Sequence, residues 1–490
     1  MDAPGIPGQP LRVTAVLTGK GLERHILARR GFEVGGDFTE RGNGHLLPGF
    51  WDSRDLPTKG RRDSLMADSI LIDRYPRPQC EGSNSVLCFV SGAFLLDFDR
   101  VIGILMRPFS TFLIVLCCAQ GADRFAAIGP RMQEFVDKGE AAGIVTLIAD
   151  SDKVLHLAAV GKTDVAKDRK TRTDDIFWIA SMSKPITVVA LAILADDGKL
   201  RFDDPVAKYV PEFAGVRVSA AGQLVTPTRP ITLRDLATHT SGMGEMTLRE
   251  PHWTLAETAQ MLAKQPLLFQ PGTRWAYSTA GLDTLGRVVE VASGMPFDRF
   301  LRKRVFDPLG MKDTTFWISP KKEAPWAHPY KWNAQTGKLE ETAIPYLYKT
   351  EVTDRARPPL GGAGLFSTAG DMARLYQMML HRGEWNGKRI LKTETVAEMT
   401  RKQTGDLIAR PGMPWGLGFC VVEDPSKMAA NSVLSAGSFG HGGAFSTQSW
   451  ADPVKNLIWI VMFQRDGKGN PDNSDVRIAF EEAAAEGLVK

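Results

Sequence analysis

The chain has 490 residues, of which 43% are hydrophobic and 24% charged, a composition typical of a globular protein. These values exclude a disordered chain, a collagen-like repeat and a coiled coil. The net charge of +4 gives no reason to expect nucleic acid or an anionic membrane surface as a partner, and five Cys are too few for a disulfide scaffold.

The first 105 residues show no sustained helical or strand period, so we interpret residues 1–105 as an irregular extension. Segment 106–121 then has a start-type Met, one Arg, a short apolar run and small residues up to Gly121. This order is typical of a signal peptide, which predicts a periplasmic or secreted protein whose residues 1–105 are not translated or not structured. The alternative is an internal buried strand or helix in a cytoplasmic protein. The apolar run is shorter than the roughly 18–20 residues of a membrane span.

Regular structure is predicted from about residue 122 onwards. Pro130 suits the first turn of a helix, and apolar alternation indicates strands near both ends of this region. The predicted elements are a helix from Gly129 to Gly139, strands at 143–149, 154–160, 444–451 and 457–463, and helices beginning near Thr254, Ser367 and Ser474. The only thiol of a processed chain would be Cys420, in a buried strand.

These elements predict one α/β domain over residues 122–490. Its sheet is expected to come from about 122–205 and 360–490. The middle, about 206–359, contains many turns and short helices, so we interpret it as a mostly helical insertion.

Several common catalytic patterns are absent from the sequence. It has no Gly-x-Ser-x-Gly, no His-Glu-x-x-His, no Cys-x-x-Cys and no phosphate-binding Walker loop. The glycines of 361–364 have the wrong spacing for a dinucleotide loop. We therefore expect no metal and no organic cofactor.

The strongest catalytic candidate is the pair Ser181 and Lys184, which precedes the apolar run 186–194. Residues three apart share one face of a helix, and a helix that began at Ser181 would put its hydroxyl among free backbone N–H groups. A buried Lys has a lowered pKa and can accept the proton of the Ser hydroxyl. The same spacing recurs at Ser319 and Lys322, in a polar, Pro-containing stretch that favours a solvated loop. For Ser181 the alternative is a plain helix cap.

Two further segments carry candidate site residues. Tyr277 lies in a short segment after a turn, and a phenol beside a cationic Lys can relay protons, although a core Tyr is the simpler alternative. His441, Gly442 and Gly443 begin a predicted strand, where glycines allow a substrate to approach the backbone. The N–H of Ala444 could then join that of Ser181 in stabilising an oxyanion. For His441 alone the alternative is a structural turn residue.

Taken in chain order, Ser-x-x-Lys, Tyr-Ser-x and His-Gly-Gly resemble the serine β-lactamase and penicillin-binding-protein superfamily. The resemblance is greatest to class C-like members, which include family VIII carboxylesterases, D-aminopeptidases and DD-peptidases. It covers about residues 125–487 and includes the segments 236–242, 308–311 and 361–368. It implies an α/β fold of three layers, in which helices flank an antiparallel sheet, with an inserted mostly helical domain.

The resemblance also implies a role for each site residue. Ser181 resembles the nucleophile that forms an acyl-enzyme, Lys184 its general base, and Tyr277 the proton shuttle. The Ser181 and Ala444 amides resemble the oxyanion hole. Two positions depart from the lactamase pattern: Thr279 stands where Asn binds the acyl side-chain amide, and His441 stands where Lys helps to hold the β-lactam carboxylate.

Three functions remain open at this point. The departures favour a serine carboxylesterase acting on short-chain acyl esters, with weak β-lactam hydrolysis. The alternatives are a β-lactamase or D-amino-acid peptidase, and a binding protein without catalysis. The sequence retains all three of Ser181, Lys184 and Tyr277. This argues against a binding protein, which would have no need of the complete set. We expect a small ester or amide as the substrate, no nucleic acid and no stable membrane span, while the sequence leaves the oligomeric state open.

Overall fold

The computed structural model describes residues 124–245, 250–320, 326–407, 409–428, 433–467 and 474–489. The extension 1–105 and the signal-like segment 106–121 lie outside the described residues, so both stay predictions. In the described ranges, no helix combines the length and the apolar character needed to cross a bilayer.

Ten α-helices and sixteen strands are found in these ranges. The helices are α1 Ile128–Asp137, α2 Ser183–Asp196, α3 Leu233–Thr238, α4 Leu255–Ala263, α5 Thr279–Ser293, α6 Phe297–Leu301, α7 Asp307–Leu309, α8 Ala369–Leu380, α9 Thr393–Met399 and α10 Asp475–Val489. The strands are β1 Gly143–Ala149, β2 Val154–Asp164, β3 Arg169–Lys170, β4 Phe177–Trp178, β5 Val218–Ala220, β6 Gln223–Val225, β7 Tyr330–Asn333, β8 Lys338–Glu341, β9 Phe366–Ser367, β10 Glu384–Trp385, β11 Lys388–Arg389, β12 Cys420–Val421, β13 Phe439–Gly443, β14 Thr447–Asp452, β15 Leu457–Met462 and β16 Arg465–Asp466.

A seven-stranded sheet joins the two ends of the domain. Its strand order is β12-β13-β14-β15-β1-β2-β3, and each neighbouring pair is antiparallel. The N-terminal strand β1 pairs with the C-terminal strand β15, with Leu147 opposite Ile460. The expected antiparallel sheet is therefore confirmed.

Both faces of the sheet are buried at β1 and β15, which explains why these two strands are largely apolar. In β1, Val145 and Leu147 face one core, while Ile144 and Ile148 face the other. The first core also holds α2 and α8, and the second is covered by the terminal helices α1 and α10. Because side chains alternate between the two faces of a strand, burial on both sides requires a continuous apolar run. The sheet and the helices on its two faces therefore form three layers.

Helix α2 runs through the interior and begins at the site. Twelve of its 14 residues are buried, which is expected for a helix that is apolar on every side. It packs against α5, whose N-terminus lies near that of α2. Between α2 and β9, the chain forms helices α3 to α7 and the hairpins β5–β6 and β7–β8. The limits 206 and 359 of the insertion stay predictions.

Most predicted elements are confirmed. Helix α1, strand β1, the capping box of α4 at Thr254 and the C-terminal helix α10 match the predicted positions to within a few residues. Cys420 is buried in β12, as expected.

Two local predictions were wrong. The strand predicted for 444–451 begins only at Thr447, because residues 444–446 form the tight loop between β13 and β14. Phe445 and Ser446 have positive φ angles of 65° and 79° there, although neither is a Gly or Asn that would signal a turn. Helix α2 also begins two residues later than Ser181, at Ser183.

Substituting Gly440→Ala should destabilise the sheet. A Cβ at this position would lie 2.4 Å from the Ser449 carbonyl oxygen and 2.5 Å from Trp450 Cδ2, and the backbone oxygen cannot move aside. We expect a loss of about 1–3 kcal/mol or more in the free energy of unfolding, measured by urea denaturation. The matched control is Gly129→Ala in α1, where a Cβ meets nothing within 4 Å. Equal stability of the two variants would contradict this account of the packing.

Candidate active site

Ser181 lies at a sharp junction between a strand and a helix. It is half-buried in a 3₁₀ turn, Ala180–Met182, that connects β4 to α2. Ala180, directly before it, has a φ of 46°, in the left-handed region that residues other than Gly rarely adopt. Strain of this kind is concentrated at functional sites, where the surrounding structure holds it in place.

Lys184 is the most deeply buried polar group of the site. It lies in the first turn of α2 and has no exposed surface. Its Nζ is 3.0 Å from Ser181 Oγ, 3.4 Å from Thr279 Oγ1 and 2.8 Å from the carbonyl oxygen of Gly362. The structure therefore brings the predicted Ser–Lys pair into hydrogen-bond contact.

The surroundings of Lys184 favour its neutral form. Burial lowers the pKa of Lys184 from its ordinary value of 10.5 to about 7, and the carboxylates of Glu245 and Asp283 oppose this shift. Burial disfavours the charged amine because a low-dielectric interior replaces its hydration. An amine with a pKa near neutrality can accept a proton at physiological pH.

Tyr277 faces the same amine. Lys184 Nζ lies 4.6 Å from the centroid of the Tyr277 ring, and the centroids of the Tyr277 and His441 rings are 6.1 Å apart. The next residue, Ser278, caps α5 by accepting the N–H of Gly281 at 3.2 Å. The Tyr-Ser pattern thus combines a site residue with a helix N-cap, and the cap fixes where the Tyr lies.

Thr279, the first residue of α5, lies between Lys184 and an acidic side chain. Its hydroxyl is the one 3.4 Å from Lys184 Nζ, and its backbone N–H donates to Glu245 Oε1 at 2.5 Å. An anion at a helix N-terminus is favourably placed with respect to the helix dipole. The exposed Glu245 carboxylate therefore adds a negative charge at this edge of the site, which the sequence analysis did not identify.

A glycine loop holds the third partner of Lys184. Gly362 accepts from Lys184 through its carbonyl and donates its own N–H to Asp283 Oδ1 at 2.8 Å. Asp283 also accepts from the Tyr346 hydroxyl at 2.9 Å. A Cβ on Gly362 would lie 2.5 Å from Thr279 Cγ2, so the loop needs glycine to pass this close. Sequence reasoning noted the glycines of 361–364 without assigning them to the site.

The end of β13 closes the other side. His441 is buried in the middle of this strand, its ring 5.5 Å from that of Trp415. A Cβ on Gly443 would lie 2.4 Å from the Ile179 carbonyl oxygen, so the protein's own backbone requires this glycine, and its predicted contact with a substrate stays a prediction. Gly442 is half-buried beside it and Ala444, just beyond, is exposed. The proposed use of the Ser181 and Ala444 amides as an oxyanion hole stays a prediction.

Comparisons with known proteins agree with this geometry. The family model described as Beta-lactamase matches residues 130–484. Esterase EstB of Burkholderia gladioli is 30% identical over 351 residues, which cover 65% of this chain and 85% of that protein. A provisionally named D-alanyl-D-alanine carboxypeptidase of Salmonella typhimurium is 28% identical over 363 residues, which cover 68% of this chain and 81% of that protein.

A solved structure supports the same fold. EstCE1, described as a hydrolase with promiscuous acyltransferase activity, superposes with a TM-score of 0.64 at 24% identity, covering 74% of this chain and 98% of its own. The expected three-layer fold with helices around an antiparallel sheet is thereby confirmed. The chain belongs to the beta-lactamase family of serine hydrolases, which has esterase and carboxypeptidase relatives.

Proposed function

We propose that this protein is a serine carboxylesterase that forms an acyl-enzyme on Ser181 and prefers short-chain acyl esters. The observation that carries the proposal is the 3.0 Å contact between Ser181 Oγ and Lys184 Nζ, with the amine buried and its pKa lowered to about 7. A hydroxyl beside a neutral amine is the arrangement that activates a serine for nucleophilic attack.

The proposed reaction has two halves. Lys184 accepts the proton of Ser181 while Oγ bonds to the ester carbonyl carbon, and the amides of Ser181 and Ala444 stabilise the oxyanion. Tyr277 delivers a proton to the departing alkoxide, and the C–O bond to the alcohol breaks. A water then attacks the acyl-enzyme by the reverse sequence, releasing the acid and restoring the Ser181 hydroxyl.

Three features support an ester over a β-lactam. Thr279 lacks an amide to bind the acyl side chain, and His441 stands in place of a fixed cation for the lactam carboxylate. Glu245 adds a carboxylate on the Thr279 amide, which repels an anionic substrate. An ester also offers an alcohol that leaves and diffuses away, whereas the amine of an opened lactam stays tethered to the acyl-enzyme. The name of the relative EstB agrees with this reading.

The second candidate is a D-amino-acid peptidase, which the name of the Salmonella typhimurium relative favours. A peptidase would use the same Ser181, Lys184 and Tyr277, but it must protonate an amine leaving group. It would also have to bind the substrate's terminal carboxylate, which the negative charge of Glu245 would repel.

Ser181 should be the only covalent site. A fluorophosphonate probe should add one mass to a peptide containing Ser181, and Ser181→Ala should abolish both the labelling and ester hydrolysis. Ser319→Ala serves as the matched control, because Ser319 begins the second Ser-x-x-Lys spacing of the sequence. Peptide mass spectrometry reads the result. Labelling that persists in Ser181→Ala would overturn the assignment of the nucleophile.

The pH dependence should report the state of Lys184. Only the neutral amine accepts the serine proton, so kcat/KM for p-nitrophenyl butyrate should rise with pH and reach half its plateau near pH 7, following the lowered pKa of Lys184. Glu245 favours the charged amine, so Glu245→Gln should move this midpoint to lower pH.

The control for the pH profile is Glu212→Gln, which removes an exposed carboxylate from a 3₁₀ turn away from the site. Its midpoint should match that of the wild type. A midpoint that moves to higher pH in Glu245→Gln would contradict the electrostatic argument.

Ester hydrolysis should clearly exceed lactam hydrolysis. Loss of one hydrogen bond to a charged group costs roughly 1.5–3 kcal/mol, or about ten- to hundredfold in binding. We therefore expect kcat/KM for p-nitrophenyl butyrate to exceed that for nitrocefin at least tenfold. The double substitution Thr279→Asn with His441→Lys should narrow the difference. Equal hydrolysis of both substrates by the wild type would show that the substrate assignment is wrong.

A further inference from the structure

His239 lies beside the catalytic set without belonging to it. It follows α3 as the C-cap and has a φ of 62°, in the left-handed region. Only 1% of its surface is exposed. Of the described residues, none forms a hydrogen bond with its Nε2 atom. Its Nδ1 atom and its backbone carbonyl oxygen do form hydrogen bonds, both with one short segment of the chain.

That segment carries Tyr277. The backbone carbonyl of His239 accepts the N–H of Ala276 at 2.9 Å, and its Nδ1 accepts the N–H of Ser278 at 3.1 Å. The two hydrogen bonds lie on either side of Tyr277 in the sequence. The imidazole also packs on the Tyr277 ring, with the centroids 4.4 Å apart and the planes tilted by 31°. One residue thus holds both the backbone and the ring of Tyr277.

The charge state of His239 suits this arrangement. Because Nδ1 accepts a hydrogen bond, the ring proton is on Nε2 and the imidazole is neutral. Burial, together with the nearby Lys184, His441 and Arg410, holds the pKa of His239 well below its ordinary value. An imidazolium would lose the acceptor that binds Ser278. The ring of Trp415 packs edge-on against the imidazole at 4.9 Å and fixes its plane.

We propose that His239 is a positioning residue that sets the place of the Tyr277 phenol. The inference rests on the proposed function, in which Tyr277 protonates the departing alkoxide. It goes further by predicting where His239 acts. Losing the imidazole should slow the departure of a poor leaving group, which needs a proton, more than that of p-nitrophenolate, which leaves without one. A residue that only stabilises the fold would slow both substrates alike.

The test compares two variants on two esters. His239→Asn keeps a residue tolerant of the left-handed backbone and offers a side-chain acceptor to Ser278, but it removes the ring. His239→Gly keeps only the backbone freedom. For both we expect kcat/KM for ethyl butyrate to fall at least tenfold more than kcat/KM for p-nitrophenyl butyrate, because kcat/KM reports the acylation step in which the alcohol leaves. The difference should be smaller for Asn than for Gly.

The matched control is His381→Asn. His381 is likewise a helix C-cap, at the end of α8, but its ring contacts Ser151 and Asp152 instead of the site. It should leave the ratio of the two kcat/KM values unchanged. In a double-mutant cycle, His239→Asn added to Tyr277→Phe should cause no further change in that ratio, because its effect passes through the phenol. An equal fall on both esters, or an additive cycle, would overturn the proposal.

A structural measurement separates this inference from the proposed function. A crystal structure of His239→Asn should show the Tyr277 ring displaced or in several orientations, and this readout needs no substrate. A Tyr277 ring that keeps its place in the variant would overturn the positioning role, even if both esters are hydrolysed. A wild type that hydrolyses neither ester would overturn the proposed function, while the crystal structure would still decide the role of His239. If the Asn variant is insoluble, His239→Gly provides the same comparison.

Discussion

The burial of one amine beside one hydroxyl is the constraint on which the site depends. Moving a charged ammonium out of water costs several kcal/mol unless it is well paired. The hydrogen-bond partners of Lys184 Nζ are the neutral oxygens of Ser181, Thr279 and Gly362. Neutral acceptors offset only part of that cost, so the interior favours the uncharged amine. The same burial that would destabilise a structural lysine suits this one to the proposed role of a base.

Three separate parts of the chain must meet to bury this amine. Helix α2 supplies an apolar body that carries Lys184 inward. The N-terminus of α5 closes one side, and the loop at Gly362 closes another because glycine lets it pass within van der Waals reach of Thr279. Two carboxylates then act at a distance: Asp283 is held by Tyr346 and Gly362, whereas Glu245 is exposed. The lowered pKa of Lys184 is the net result of strong desolvation and of these two opposing attractions. A change at the exposed Glu245 is therefore expected to shift the pKa of Lys184.

The sequence was most informative where local pattern and burial coincide. The apolar runs of β1 and β15 and the periodic face of α10 predicted the sheet and its flanking helices, because alternation and helical period survive in the folded chain. The spacing of Ser181 and Lys184 likewise predicted their contact, since residues three apart meet within one helical turn. Roles for these residues came from resemblance, and they remain proposals.

Long-range contacts and backbone strain were beyond such reasoning. Nothing local to Glu245 or Asp283 indicates that either carboxylate lies near Lys184, because distant segments bring them there. The left-handed φ of Ala180 and of Phe445 is imposed by the surrounding fold on residues that do not prefer it. Gly443 has a packing role that its sequence did not indicate, because a Cβ there would meet the Ile179 carbonyl oxygen, while its contact with a substrate stays a prediction.

In the proposed function, different residues of the site carry out proton transfer and recognise the substrate. The proton-transfer residues therefore do not indicate which substrate is used. Proton transfer needs a buried base, a nucleophile and a phenol in fixed geometry, and these requirements are the same for an ester, a lactam or a peptide. In the proposed function, selectivity depends instead on the charges that a bound substrate meets beside Thr279 and the exposed Glu245, which are hydrogen-bonded to each other. A carboxylate there opposes anionic substrates and strengthens the charged form of Lys184. One side chain therefore links substrate charge to the proton affinity of the base, so a change in specificity at this position is also a change in pH dependence.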